Sequence, residues 1–311
     1  TDAVELALRA CGIQPGNVVA TVSHTAVATV TAIERFGAIP CLIDIDPETF
    51  TMDFEKLEAT IASRKIQGVV IVHLYGQMGN VKKLASVLEK TGIILIEDCA
   101  QAHGSAWNGA KAGTFGRAGA FSFYPTKNLG AIGDGGFVAS SDKKVLENLK
   151  ILREYGWKER NISVVPGVNS RLDELQAAIL RVKLKYLEQE NEARRILAGL
   201  YRKGLAGLPI RLPREVPESI HTFHQFVISC DPRDELQEYL KTQGILTLIH
   251  YPVPIHLQPA YLNRLPLGVG GLENTEKAAK SVLSLPMHPH LLPEQVQEVC
   301  AQIRRFFEKK K

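Results

Sequence analysis

Short apolar runs alternate with helical patterns through the first half of the chain. VVATV at 18–22, IPCLIDI at 39–45, GVVIVHLY at 68–75, IILIED at 93–98, AFSFYP at 120–125 and GGFVAS at 135–140 read as strands, several of them buried. Helical patterns fall at 24–36, 53–64, 80–91 and 142–154, with Gly37 and Gly92 standing where helices end. This alternation predicts βαβ units, and so a largely parallel sheet covered by helices. A longer helix is expected over 171–195, where Leu172, Leu175, Ile179, Val182 and Tyr186 recur every three or four residues.

From about residue 196 the texture changes. The Pro- and Gly-spaced stretch LAGLPIRLPREVPES is followed by HTFHQFVIS, a helix near 234–243, the run ILTLIH, and helices near 273–283 and 293–308. The expected organisation is therefore a large α/β domain over 1–195 and a smaller α+β domain over 196–311, with no internal repeat. The chain opens on TDAVELALRA, already a helical pattern, so an upstream segment is expected.

Composition narrows the class. With 45% hydrophobic and 23% charged residues, the 311-residue chain is globular. Its apolar runs fall far short of the roughly 20 residues a membrane span needs. Cysteines 11, 41, 99, 230 and 300 lie far apart with no CxxC pair, which points to a reducing cytoplasm and to neither a zinc site nor a disulfide framework. The net charge of +4 is interspersed. The one basic cluster, the terminal RRFFEKKK, suits a helix end better than nucleic acid.

The chemistry concentrates in AFSFYPTKNLGAIGDGG at 120–136, where Lys127 sits between an apolar strand and a glycine-rich turn. A buried lysine loses its charge easily and can then attack a carbonyl to form a Schiff base. Asp98 ends the strand IILIED, at the edge where ligands collect in an open α/β sheet; capping the following segment is its other reading. If the carbonyl belongs to pyridoxal phosphate, three things are needed: a lysine for the aldehyde, a carboxylate for the ring nitrogen, and a phosphate cradle. Ser122 and the free backbone N–H groups at Thr1 and Asp2, where the first helix starts, are candidates for the cradle, though Ser122 also reads as an ordinary strand serine. GDGG at 133–136 lacks the spacing of either phosphate-loop motif and reads as a tight turn.

Four blocks in order, EDCAQAHG at 97–104, AFSFYPTKNLGAIGDGG at 120–136, GVNSRLDELQAAIL at 167–180 and HYPVPIHLQPAY at 250–261, resemble the DegT/StrS-type sugar aminotransferases. These are pyridoxal-phosphate enzymes of fold type I that aminate keto sugars attached to nucleotides. The resemblance implies that Lys127 takes the cofactor aldehyde, Asp98 pairs with the ring nitrogen, Gln101 approaches the ring hydroxyl, and Ser122 with the backbone at Thr1 and Asp2 holds the phosphate. Asn169, and Arg171 beside it, are implied to reach the neighbouring subunit's phosphate, hence a homodimer with shared sites. His250 and Tyr251 are implied to approach the substrate, and Tyr124 is expected on the same strand face as Ser122, where packing explains it equally well.

The sequence departs from that family in two places. Where many relatives stack an aromatic ring on the cofactor, the segment SHTAVAT at 23–29 has Ala26; His24 is the candidate replacement, with a core or capping histidine as the alternative. Relatives also carry an upstream segment of some tens of residues. The other histidines, 73, 221, 224, 288 and 290, and the pair 250 and 256, have no ligand-like arrangement, so no metal is expected. The expected reaction moves an amine from glutamate to a nucleotide-linked keto sugar. The motifs look nearest to enzymes acting on a 3-keto-6-deoxyhexose carried by thymidine diphosphate. A 4-keto sugar, an amino-inositol precursor and a non-catalytic regulator of the same fold remain alternatives; a dehydrogenase-like binder lacks the glycine fingerprint.

Overall fold

The computed structural model describes residues 1–309, the side chains at 83, 87, 89 and 90 excepted; the last two lysines of the basic end lie outside the described residues. The predicted alternation is built as helix α1 (Asp2–Ala10), strand β1 (Val18–Val22), α2 (Ala28–Arg35), β2 (Ile39–Ile43), α3 (Phe54–Ser63), β3 (Gly68–Val72), α4 (Val81–Thr91), β4 (Ile94–Asp98), β5 (Ala118–Ser122), β6 (Gly136–Ala139) and α5 (Lys143–Leu152). The six strands form one sheet in the order β2-β1-β3-β4-β5-β6. Its first five strands run parallel and β6 returns antiparallel beside β5. Local chemistry sets the ends of several helices. Asp53 and Asp142 cap α3 and α5, each accepting two backbone N–H bonds, and Gly37 and Gly92 follow α2 and α4 at φ +90° and +71°.

Two apolar layers sandwich this sheet. One gathers Leu8, Ile33, Val70 and Ile96 with α1, α2 and α5; the other gathers Ile43, Met52, Ile71 and Leu88 with α3 and α4. The helix expected over 171–195 is instead α6 (Glu174–Lys183), a single 3₁₀ turn at Leu184–Tyr186, and α7 (Leu187–Leu205). The expected boundary at 195/196 thus falls inside α7.

A second core brings Leu197, Tyr201 and Leu205 of α7 against a three-stranded antiparallel sheet of β7 (Ile210–Arg211), β8 (Phe226–Cys230) and β9 (Val282–Leu285). The helices α8 (Arg233–Thr242), α9 (Glu273–Ser281) and α10 (Pro293–Glu308) accompany it. The run ILTLIH at 245–250 makes only an isolated bridge, Leu248 to Ser284, and Leu246 and Leu248 face outward. No helix among the described residues is long and apolar enough to cross a membrane.

Candidate active site

A parallel sheet sends all its crossover loops to one edge, and Asp98, the last residue of β4, stands there. Its register pairs it with Val72 on one side and Ala120 on the other, so the segments leaving β3 and β5 flank it. The carboxylate is 6% exposed. Oδ2 accepts from Thr29 Oγ1 at 2.7 Å, and Oδ1 accepts from the backbone N–H of Ala100 at 3.1 Å. The capping expectation is therefore met by one oxygen alone.

Lys127 lies in the loop leaving β5, its backbone N–H closing a turn onto the Tyr124 carbonyl at 2.9 Å. Burial lowers the pKa of its amine, an effect that the charge of Asp98 partly reverses. Among the described residues neither Asp98 nor Lys127 has an ion-pair partner. A buried carboxylate held by neutral donors and a desolvated amine are costly to leave so. A cationic ring N–H at Asp98 and an aldehyde at Lys127 satisfy both, so the residues fit pyridoxal phosphate.

The expected phosphate donors also meet. A Cβ built on Gly136 would lie 3.4 Å from the Ala3 Cβ, and Gly136 pairs with Ser122, so the first turn of α1 lies beside Ser122. Ser122 Oγ accepts from the Tyr124 N–H at 3.3 Å and keeps its own proton to donate. Thr1 is the N-cap of α1 without a side-chain cap bond, and the Asp2 carboxylate is taken by Arg35 at 2.7 Å and Ser170 at 2.8 Å. None of the glycines of the GDGG stretch is left-handed. They are small because neighbours crowd them: a Cβ at Gly133 would meet Gln176 at 2.9 Å and one at Gly135 would meet Leu172 at 3.0 Å. Asn169 and Arg171 flank Ser170 on the surface, where Arg171 bonds the Asn169 side chain and Glu154.

Of the candidates for substrate contact, His24, His250 and Tyr251 gather around Tyr75 and Gln101, and Tyr124 stands apart. Gln101 Oε1 accepts the Tyr75 N–H at 2.7 Å and its Nε2 donates to the Tyr251 hydroxyl at 3.4 Å. His250 bonds Ser284 Oγ through Nδ1 at 2.8 Å, and burial together with the charge of Lys127 lowers its pKa to about 4. His24 is 1% exposed, packed against Phe50 and Tyr75 with its Nε2 2.9 Å from the Tyr75 hydroxyl. The expectation that Tyr124 shares the strand face of Ser122 fails: β5 ends at Ser122, and Tyr124, placed before Pro125, turns out to solvent.

Several neighbours were not singled out from sequence. Asn128 Nδ2 donates to Asn191 Oδ1 at 2.8 Å and to the Thr222 carbonyl at 3.1 Å, so its Oδ1 accepts from His224 Nδ1 at 3.0 Å. Asn191 in turn donates to the His103 carbonyl at 2.8 Å. Burial first, and the charge of Lys127 after it, hold His103 down to about 4 and His224 well below the ordinary histidine value. Position next to Lys127 was the available signal for Asn128, and place within EDCAQAHG for His103. Thr29 carried none. His73, Glu97 and Cys99 bring ligand atoms within 4.8 Å of one another. The Glu97 carboxylate is nonetheless fully used, accepting from His73 Nε2 and from the N–H groups of Gly113, Phe115 and Gly116, which leaves no lone pair for a metal.

The model of the DegT/DnrJ/EryC1/StrS aminotransferase family matches residues 1–304. A pleiotropic regulatory protein of Geobacillus stearothermophilus is 44% identical over 99% of this chain and 83% of its own length. A dTDP-3-amino-3,4,6-trideoxy-alpha-D-glucose transaminase of Streptomyces venezuelae is 42% identical over 99% of this chain and 81% of its own. Among solved structures, DesV of S. venezuelae, in complex with a ketimine intermediate, superposes with a TM-score of 0.94 at 42% identity, covering 99% of this chain and 82% of that one.

Proposed function

Because the chain belongs to the DegT/DnrJ/EryC1/StrS aminotransferase family and is a pyridoxal-phosphate-dependent sugar aminotransferase, we propose that it moves an amino group from glutamate to a nucleotide-linked keto-deoxysugar, the acceptor being a dTDP-3-keto-6-deoxyhexose. The observation that carries this reading is the pair at the sheet edge, Asp98 buried and Lys127 half-buried with its amine pKa lowered by burial, neither with an ion-pair partner among the described residues. Relatives named as 3-amino-deoxyhexose transaminases support the choice of sugar.

Bound pyridoxal phosphate supplies an aldehyde carbonyl and a ring that accepts electrons. Lys127 would hold the aldehyde, and its Nζ would move a proton at the substrate carbon. Asp98, braced by Thr29, keeps the ring nitrogen protonated. Gln101 meets the ring hydroxyl, while Ser122 and the N–H groups at Thr1 and Asp2 hold the phosphate. His250 and Tyr251 face the substrate from the C-terminal part of the chain, and Tyr124 reaches it from the exposed rim.

The same reading makes the protein a homodimer in which Asn169 and Arg171 serve the neighbouring subunit's phosphate. Exposed apolar side chains on and near α6, among them Ile132, Phe137, Leu175 and Val182, support a partner there. It also divides the chain near residue 195 into a cofactor-binding domain and a smaller C-terminal one. Five unpaired, buried cysteines support a cytoplasmic setting.

The test offers 3-keto and 4-keto nucleotide sugars side by side with glutamate. Amination of the 3-keto compound, abolished in Lys127→Ala by roughly a thousandfold or more, is expected; exclusive use of the 4-keto compound overturns the choice of sugar. A regulator of the same fold has no need of glutamate turnover, so turnover with glutamate alone separates that alternative.

A further inference from the structure

Three hydrogen bonds and one peptide link close a ring beside Asp98. The Tyr75 N–H donates to Gln101 Oε1, Gln101 Nε2 donates to the Tyr251 hydroxyl, Tyr251 follows His250 in the chain, and the His250 carbonyl accepts the Tyr75 hydroxyl. The chemistry of each group fixes every direction. A backbone N–H only donates, so the oxygen of the Gln101 amide faces Tyr75 and its nitrogen faces Tyr251. A carbonyl only accepts, so the Tyr75 proton goes to His250, and the Tyr75 oxygen accepts from His24 Nε2 at 2.9 Å.

Two protons are left over. The Tyr251 oxygen accepts from Gln101, and among the described residues its phenolic proton has no acceptor, nor has the second N–H of the Gln101 amide. Burial and the charge of Asp98 push the Tyr251 pKa up to about 12, so it keeps that proton. Tyr75 itself is 3% exposed, clasped by the rings of Phe50 and His24, and holds φ 62° and ψ 0°, a left-handed conformation that a bulky residue rarely adopts. Such a conformation persists only where its surroundings over-determine it.

We propose that Tyr75 is a positioning residue for the transamination: its N–H sets the Gln101 amide and its hydroxyl sets the loop bearing Tyr251. The two spare protons would then serve one further acceptor, which the ring oxygen of bound pyridoxal phosphate would supply. This inference rests on the pyridoxal-phosphate reading and extends it to Tyr75 and Tyr251. His24, aligned behind Tyr75, braces the ring of bonds from the far side.

The test titrates the visible absorbance of the pyridoxal-phosphate-loaded protein against pH. Donors on the ring oxygen stabilise its negative charge, so removing one makes the proton of the Lys127 linkage harder to lose and raises the midpoint. Facing that linkage are Asp98, Tyr251 and the imidazoles of His103 and His250, held down to about 4, and of His224, which burial holds well below the ordinary histidine value, so that all three stay neutral through the titration. Tyr251→Phe is expected to raise the midpoint by about one pH unit. Tyr75→Phe keeps the backbone donor to Gln101 and is expected to raise it by a smaller amount. The thermal midpoint of each variant is measured alongside. Lower melting temperatures with an unmoved absorbance midpoint give both residues a structural role only and overturn the proposal. A wild-type chain that develops no visible band overturns the cofactor reading itself.

Discussion

Glu97 and Asp98 are neighbours on β4, both buried, and their environments are opposite. Consecutive strand residues leave opposite faces of a sheet. Glu97, 0% exposed, turns to a side where one imidazole and three backbone N–H groups fill all four acceptor positions. Asp98 turns to the other side, accepts two bonds from neutral donors, and keeps its remaining lone pairs unfilled among the described residues. The saturated carboxylate ties the 113–116 turn and His73 to the strand; the open one is unfinished without a ligand. A buried charge alone is therefore a poor marker of a site, and the count of unfilled acceptor positions is a better one.

Paired isosteric substitutions sharpen this comparison most. Asp98→Asn removes the anion proposed to hold a protonated ring nitrogen and is expected to lower turnover by about a hundredfold or more while leaving the melting temperature nearly unchanged. Glu97→Gln turns an amide NH₂ toward backbone donors and is expected to destabilise the fold by about 2–4 kcal/mol, with activity kept by whatever protein folds. Thermal unfolding and glutamate turnover on both variants check this. A reversed pattern breaks the comparison.

A smaller effect appears in the pH dependence of stability. Burial works to raise the Glu97 pKa, but the bonds from His73 and the backbone outweigh it and hold the folded value below the ordinary 4.5. A depressed folded pKa contributes stability that is fully present above 4.5 and is lost as pH falls through the lower folded value. Urea unfolding between pH 6 and pH 3 is expected to show this loss, and Glu97→Gln to flatten it. The smallest effect is expected at Thr29→Val, which removes one of the two donors to Asp98 and should lower turnover by about tenfold with the fold intact.

Much of the sheet was legible because its signals are local. The apolar runs that became β1, β3 and β4, and the aspartates that cap α3 and α5, lie within a few residues of what they determine. Lys127 and Asp98 were legible because their motifs stand at strand ends. Glu97, in the same run IILIED, was not, since its partners arrive from 73 and from 113–116. The same holds for Asn128, whose partners Asn191 and His224 lie 63 and 96 residues away. ILTLIH reads as a strand by composition, yet only Leu248 finds a bridge, because an apolar pattern does not supply a neighbouring strand to pair with.

The central claim is that Lys127 holds pyridoxal phosphate. Borohydride reduction of the loaded protein, followed by digestion and peptide mass mapping, tests it most directly. The predicted result is a pyridoxyl label on Lys127, lost when glutamate is added before reduction. A label on another lysine would contradict it; a Lys127 label that glutamate leaves unchanged would instead overturn glutamate as the donor.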